Sequence, residues 1–153
     1  MKQLLFVVLF LLSPCFKGSD FKIIKSTSQD WAGGRPEAGR GTNYQVFMVA
    51  KVSSENLVVD KLWINQDYYE VKILRKGFNK DEVEFQKRDT IYVRATKLIK
   101  TDRNGDPLPR EEIVQPERPF EYNGVAILGY LIKNKRKYKK IKELEKLKFI
   151  AYP

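Results

Sequence analysis

The residue types that could carry chemistry in this chain are limited first by the absence of histidine. The 153-residue sequence contains no histidine and a single cysteine, Cys15. Nucleophilic catalysis by Ser–His or Cys–His, His-ligated zinc and imidazole proton transfer are therefore excluded. The neighbouring Glu111 and Glu112 cannot alone form a catalytic carboxylate pair, because adjacent residues of a strand point to opposite faces. We expect a protein that is not an enzyme and needs no cofactor.

A glycine- and arginine-rich segment between Trp31 and Tyr44 is the most unusual stretch. It holds four of the nine glycines. Trp31 and Tyr44 offer flat apolar surfaces, and Arg35 and Arg40 offer forked donors that would suit a sugar, carboxylate or phosphate group. The segment is not a phosphate-binding P-loop, since Arg40 replaces the lysine and a strand follows instead of a helix. The alternative is an irregular loop across one end of the fold, with Trp31 filling that end.

A second candidate contact region is the basic segment from Lys133 to Lys148. It contains nine basic residues against Glu143 and Glu145. One interpretation is an electrostatic contact with an acidic membrane surface or partner, weakened by salt. The other is a solvated hairpin whose lysines protect an edge strand from aggregation. The candidate contact residues are Lys135, Arg136, Lys137, Lys139 and Lys140.

The oxygen-bearing residues Asp102, Asn104 and Asp106 resemble the first half of a calcium-binding loop. Pro107 stands where that loop has glycine, and Ile113 stands where it has the bidentate glutamate. Asn-Gly and Asp-Pro are also common turn dipeptides. We therefore expect a turn and no metal site.

The N-terminus has the layout of a secretory signal peptide. A charged start is followed by nine apolar residues, 4–12, and by the small-residue end Ser13-Pro14-Cys15. The apolar run is too short to span a bilayer. Cys15 fits two alternatives: lipidation at a lipobox-like Leu12-Ser13-Pro14-Cys15, from which Pro14 departs, or ordinary cleavage after Cys15. We predict a signal peptide at 1–15 and an extracytoplasmic protein, in the periplasm, at the outer membrane or secreted.

The predicted location and the net charge limit the kinds of partner that we expect. The formal net charge is +10. Outside the cytoplasm, a basic face meets anionic lipids, acidic polysaccharides or acidic proteins rather than nucleic acid. Membrane contact through a lipid anchor or the basic face is one of these alternatives.

Short β-strands separated by polar turns make up the predicted elements. Alternating apolar residues, as at Ile91, Val93 and Ala95, indicate half-buried strands, and no long amphipathic helix is present. We predict one domain over 16–153 with an antiparallel immunoglobulin-like β-sandwich, or alternatively a small up-and-down β-barrel. The predicted strands are 21–28, 44–52, 57–64, 68–75, 89–100, 125–133, 137–142 and 147–152, with a possible edge strand at 83–85.

The signal, the short strands and the W-x-G-G…G-R-G-T-N-Y segment together resemble small uncharacterised envelope proteins of Bacteroidota-type bacteria. This resemblance covers about the first third of the chain after the signal and implies no catalytic residue. The leading functional hypothesis is a non-enzymatic envelope module that docks onto a larger envelope protein. The alternative is a binding domain for an anionic glycan or lipid head group.

Overall fold

The computed structural model of the protein describes residues 19–75, 84–110 and 114–153, and within them the chain is almost entirely β. No helix in these ranges is long and apolar enough to cross a membrane. Within the described residues, the only helical element is a 3-10 turn at Pro36–Ala38. The strands are β1 Phe21–Ala32, β2 Arg40–Ala50, β3 Leu57–Ile64, β4 Asp67–Glu70, β5 Ile73–Arg75, β6 Thr90–Ile99, β7 Ala126–Ile132, β8 Lys135–Ile141, β9 Glu145–Lys146 and β10 Ile150–Ala151.

The strands form two sheets that pack against each other. Sheet A has the order β10-β1-β2-β6-β5, with β9 also on β1, and sheet B has the order β4-β3-β7-β8. All pairings are antiparallel except those of β9 and β10, which run parallel to β1. The described strands do not close into a barrel. The predicted all-β sandwich is therefore confirmed.

The core lies between the sheets, where alternate residues of each strand point inward. Val46 and Met48 of β2 and Ile91 and Val93 of β6 are buried against Leu128 of β7 and its neighbours. The period-two alternation predicted for β6 is thus confirmed, and burial of these apolar side chains is the main stabilising term. The face of sheet A that points away from sheet B is called the outer face below.

Two predicted strands are wrong in their pairing. The stretch 68–75 is not one strand: β4 pairs with β3 in sheet B, whereas β5 pairs with β6 in sheet A. The buried Val71 lies at this crossing, where its N–H donates to Asp60 O at 3.0 Å. Of the expected closing strand at 147–152, only the residues of β10 are in a strand, and β9 at 145–146 lies just before it. Of the possible edge strand at 83–85, residue 83 lies outside the described ranges and 84–85 are not in a strand.

The proline-containing segment 114–124 covers the outer side of sheet B. The Trp63 indole N–H donates to Pro116 O at 3.1 Å, and the Tyr68 N–H donates to Gln115 Oε1 at 3.0 Å. Phe120 packs edge-on against Tyr138, with 5.9 Å between ring centroids. The stretch lies outside both sheets, where proline is tolerated, and it buries Trp63.

The glycine-rich segment is mostly regular, contrary to the expectation of an irregular loop. β1 extends to Ala32 and β2 begins at Arg40, so only seven residues connect the two strands. The Gly33 N–H donates to Gly39 O, and Gly39 has a φ of 75°, which favours glycine. The segment is therefore the tip of a long hairpin.

Candidate binding cleft on the outer face of sheet A

Trp31 and Tyr44 do not form one site, because they lie on opposite faces of sheet A. Tyr44 is on the inner face, where its ring packs against Tyr69 with 5.9 Å between centroids. Trp31 is paired with Gly41 and lies on the outer face, where it packs edge-on against Tyr152 at 5.9 Å. Trp31 is in register with Gly41, which lies three residues before Tyr44 on β2, so the two side chains point to opposite faces. The prediction that these two aromatic residues form one site is therefore wrong.

Arg35 and Arg40 are exposed at the hairpin tip. Neither forms an ion pair or side-chain hydrogen bond with any residue of the described ranges. They are exposed to solvent, and neither of them lines the cavities of about 150 and 330 Å³ in the described part of the protein. The structure therefore does not join them to Trp31 and Tyr44 in one site.

The outer face of sheet A carries side chains in rows across three neighbouring strands. One row is Thr27, Gln45 and Arg94, and the next is Gln29, Asn43 and Thr96. These rows are polar. On one side they are flanked by the rings of Phe47 and Tyr92, whose centroids are 5.4 Å apart, and on the other side by Trp31.

A small cleft of about 150 Å³ opens in this polar area. Its wall is the C-terminal segment, which pairs with β1 at Ser28–Lys146 and again at Trp31–Ile150. Between those pairs β1 has two residues and the C-terminal segment has three, so the segment bulges away from β1. The lining residues are Thr27, Gln29, Asn43, Gln45, Arg94, Leu147 and Tyr152.

Hydrogen bonds hold the side chains of the cleft in place. The Gln29 amide donates to Lys148 O at 2.9 Å, and the Thr96 hydroxyl donates to Asn43 Oδ1 at 2.9 Å. With the Gln45 amide oriented to satisfy both groups, its oxygen accepts from Arg94 Nη2 at 3.0 Å and Nε at 3.3 Å. Arg94 is exposed and keeps further N–H donors for a ligand, since a guanidinium has five.

The Trp31 indole lies beside the cleft over Gly41. A Cβ at Gly41 would lie 3.1 Å from Trp31 Nε1 and would collide with Lys97 O. The indole N–H is buried and has no hydrogen-bond partner among the described residues. A buried donor without a partner costs free energy, so this N–H is a candidate contact for a ligand or water.

The five candidate residues of the basic segment lie on β8, an edge strand of sheet B, and three of them have specific partners. Arg136 forms a two-bond ion pair with Asp60, with 2.7 Å between Nη2 and Oδ2. Lys137 contacts Asp20 at 2.8 Å. Lys140 lies over the Phe120 and Tyr122 rings at 5.1 and 5.0 Å.

The other two basic residues of β8 are less constrained. Lys139 is within 3.4 Å of the Ser19 hydroxyl, and Lys135 is exposed without an ion pair in the described ranges. The turn before β8 is at Lys133 and Asn134, one residue earlier than predicted, and both have positive φ as in a type I′ hairpin. The lysines of β8 therefore lie along an edge of sheet B that pairs with no further strand in the described ranges.

The carboxylates of the described ranges do not cluster as a metal site. The pKa of Asp30 is lowered by hydrogen bonds from Thr42 and Lys146, so this group stays ionised. Asp102 accepts from the N–H groups of Asn104 and Asp106 at 2.8 and 2.9 Å, which accounts for the calcium-like sequence as a turn. In the described ranges, no three His, Cys, Asp or Glu side chains converge where they could hold a metal ion. Cys15, Glu111 and Glu112 lie outside these ranges.

Sequence reasoning missed the residues of the cleft. Alternation along β6 does predict that Arg94 and Thr96 point away from the core. Nothing local shows that Gln45 lies beside Arg94, or that Tyr152 returns to Trp31, because those neighbours are set by pairing between distant strands.

No protein-family model, no curated protein and no solved structure matches the chain.

Proposed function

We propose that the protein is a non-enzymatic binding module of the cell envelope that binds an anionic glycan in the cleft on the outer face of sheet A. The observation that carries this proposal is the set of fixed amide, hydroxyl and guanidinium groups in that cleft. Sugars present hydroxyl groups that both donate and accept hydrogen bonds, which amide side chains match. The proposal favours the glycan alternative over protein docking.

Arg94 supports an acidic rather than a neutral sugar. Its guanidinium is exposed, and within the described ranges it donates to a neutral amide, that of Gln45. A guanidinium binds a carboxylate through two parallel hydrogen bonds, which are stronger than bonds to neutral groups. A uronic acid carries such a carboxylate next to ring hydroxyls that Asn43 and Gln29 could bind.

The size and the aromatic walls of the cleft support a single sugar residue of a longer chain. Its volume of about 150 Å³ is well below that of pockets for drug-sized ligands. Tyr152 lines the cleft and packs against Trp31, so an aromatic surface adjoins the polar floor. Aromatic rings pack well against the apolar face of a sugar while their polar atoms stay hydrogen-bonded.

The titratable groups support a binding role rather than catalysis. The chain has no histidine. A catalytic carboxylic acid needs a raised pKa, whereas the carboxylates with a clear shift, Asp30 and Asp67, have lowered pKa values. Neither of these two groups lines the cleft.

Docking onto a larger envelope protein is the second candidate function. It is favoured by exposed apolar side chains around the cleft end of sheet A: Leu98 is 48% exposed and Phe149 is 61% exposed. Leu98 is in register with Gly41 and Trp31 on the outer face. Such side chains occur in protein interfaces, although single exposed apolar residues are common on any surface.

A glycan array followed by calorimetry tests the proposal. We expect binding to uronic-acid oligosaccharides that is weaker for the neutral sugars of the same linkage. Arg94→Ala removes a charge-assisted hydrogen bond of about 1.5–3 kcal/mol, which corresponds to roughly a 10- to 100-fold loss of affinity. The matched control is Arg40→Ala, which removes the same charge at the hairpin tip and should change affinity by less than about threefold.

Pull-down from envelope extracts separates the two functions. If a protein partner binds stoichiometrically at high salt and no glycan on the array binds, the glycan proposal is wrong and docking onto a protein is the function. Equal losses for Arg94→Ala and Arg40→Ala would show that the cleft has no specific role.

A further inference from the structure

A basic groove lies on another side of the sandwich, between the edge of sheet A formed by β1 and the edge of sheet B formed by β8. It encloses about 330 Å³. β9 and β10 pair with β1 only from Thr27 onward, so in the described ranges Phe21 to Ser26 have no strand on that side. The buried Phe21 and Ile141 line the groove. The groove is therefore an open seam of the fold, with apolar atoms beneath a polar rim.

The rim of the groove is strongly positive. Lys22 belongs to β1 and Lys51 directly follows β2. Glu143 is the one acidic residue that lines the groove. The lysines are Lys22, Lys51, Lys139, Lys140 and Lys142, so five positive charges face one negative charge. Like charges held close together repel one another, and an anionic partner relieves that repulsion.

None of these lysines forms an ion pair in the described part of the chain, and three of them have no other side-chain partner there. Lys22, Lys51 and Lys142 are exposed and form no ion pair there. Lys139 contacts a neutral hydroxyl, and Lys140 lies over aromatic rings. The basic segment 133–148 predicted from the sequence contains only three of the five groove lysines. Lys22 and Lys51 are distant from it in sequence and are brought to the groove by folding.

The described chain begins at the same groove. Ser19 lines it, and the Lys51 N–H donates to Asp20 O at 3.1 Å. Cys15 precedes Ser19 by four residues, a separation of at most about 14 Å. If Cys15 carries a lipid, the membrane that holds the lipid is within that distance of the groove.

We propose that the basic groove binds the head groups of anionic phospholipids, so that this edge of the sandwich faces a membrane. The lysines supply the attraction to phosphate, and the apolar floor accepts the adjoining glycerol region. With an acylated Cys15, the groove is the second of two membrane signals, and without acylation it gives reversible binding. This site is separate from the glycan cleft on the outer face of sheet A.

Vesicle sedimentation tests the proposal with a Cys15→Ser protein, in which acylation cannot contribute. Vesicles of phosphatidylcholine mixed with phosphatidylglycerol should bind the protein, and vesicles of phosphatidylcholine alone should not. Each lysine near a charged membrane contributes about fivefold to binding. The triple variant Lys22→Gln/Lys51→Gln/Lys142→Gln should therefore bind roughly 100-fold more weakly.

A second triple variant is the matched control. Arg35→Gln/Arg40→Gln/Lys100→Gln also removes three exposed charges, but at the other end of sheet A, about 35 Å away along β1. It should lose less than about threefold, since the charges lie beyond the screening length. Thermal unfolding of both variants checks that they fold.

The outcomes that overturn the proposal are distinct. Equal losses for the two triple variants would mean a response to net charge without a site. Binding to a soluble acidic polysaccharide but not to phosphatidylglycerol vesicles would identify a different occupant. Loss of uronate binding in the groove variant would place the glycan in the groove and contradict both the cleft and the phospholipid assignment, whereas loss of vesicle binding alone supports the groove as a separate site.

Discussion

Asp67 is the most heavily paired carboxylate at the scale of single residues. It contacts Lys97 of β6 at 2.7 Å and Arg110 at 3.5 Å, and so ties β4 of sheet B to sheet A. Burial acts to raise its pKa, but the hydrogen bond and charge of Lys97 and the charge of Arg110 outweigh burial, and the pKa is lowered. A lowered pKa in the folded state favours folding above the unfolded-state pKa.

Acid stability should depend on this residue. The contribution of Asp67 is present above about pH 4 and is lost as the pH falls through its lower folded-state pKa. Urea unfolding across acid pH should show a shallower loss of stability in Asp67→Asn than in the native chain. Glu37→Gln removes a charge from the exposed 3-10 turn and is the control; an identical acid profile for both variants would contradict this role.

Arg136 illustrates a residue whose charge serves the fold. Its bidentate pair with Asp60 joins β8 to β3, and the hydrogen bonds that its guanidinium donates to Asp60 raise the pKa of Arg136. Arg136→Ala should lower the free energy of unfolding by about 1–2 kcal/mol, measured by urea denaturation. Lys135→Ala, on the same strand without an ion pair, should change it by less than about 0.5 kcal/mol. Equal effects would mean that the Arg136 pair contributes nothing specific.

At the scale of elements, the β1–β2 hairpin and β6 form the floor of the cleft. Gly41 of β2 allows the backbone of β6 and the Trp31 indole to approach β2 closely. A Cβ at this position would meet backbone as well as the Trp31 indole. Gly41→Ala should therefore destabilise the fold by about 1–3 kcal/mol, seen as a lower thermal midpoint. Asn43→Ala, two residues along β2, should cost about 1 kcal/mol or less by losing a side-chain hydrogen bond. Normal stability of Gly41→Ala would require the strands to be farther apart than described.

Local sequence information predicts the elements better than their partners. Alternation along β6 predicts which side chains are buried, because that pattern depends on one strand alone. The transfer of β5 to the other sheet and the parallel docking of β9 and β10 depend on contacts between distant residues. The same limit applies to the cleft: Arg94 was predictable as an outward-facing residue, but its neighbours Gln45 and Tyr152 were not.

At the scale of the whole molecule, Tyr130 packs between the two sheets near the basic groove. Its ring contacts Phe21 edge-on at 4.8 Å, and its hydroxyl lies 3.4 Å from Asp20. Burial, followed by the charge of Asp20, raises the pKa of Tyr130 to about 12. The unfolded chain therefore releases this proton at lower pH than the folded chain does.

The stability of the protein should fall between about pH 10 and pH 12 for this reason, because the unfolded state binds fewer protons in that range. Tyr130→Phe keeps the ring and removes the titrating group, so its urea unfolding should depend less steeply on alkaline pH. Tyr152→Phe, at the exposed C-terminal end, should follow the native profile. An unchanged slope in Tyr130→Phe would contradict the assignment.

The central claim is that the outer face of sheet A holds a glycan-binding cleft, and the two tryptophans allow a direct test. The Trp31 indole N–H lies beside the cleft without a partner among the described residues, whereas the Trp63 indole N–H donates to Pro116 O in the segment that covers sheet B. In a ¹H–¹⁵N NMR titration with a uronic-acid oligosaccharide, we expect the Trp31 indole signal to shift with saturation and the Trp63 signal to stay in place. Binding that leaves the Trp31 signal unmoved, or that shifts both signals equally, would contradict the cleft as the binding site.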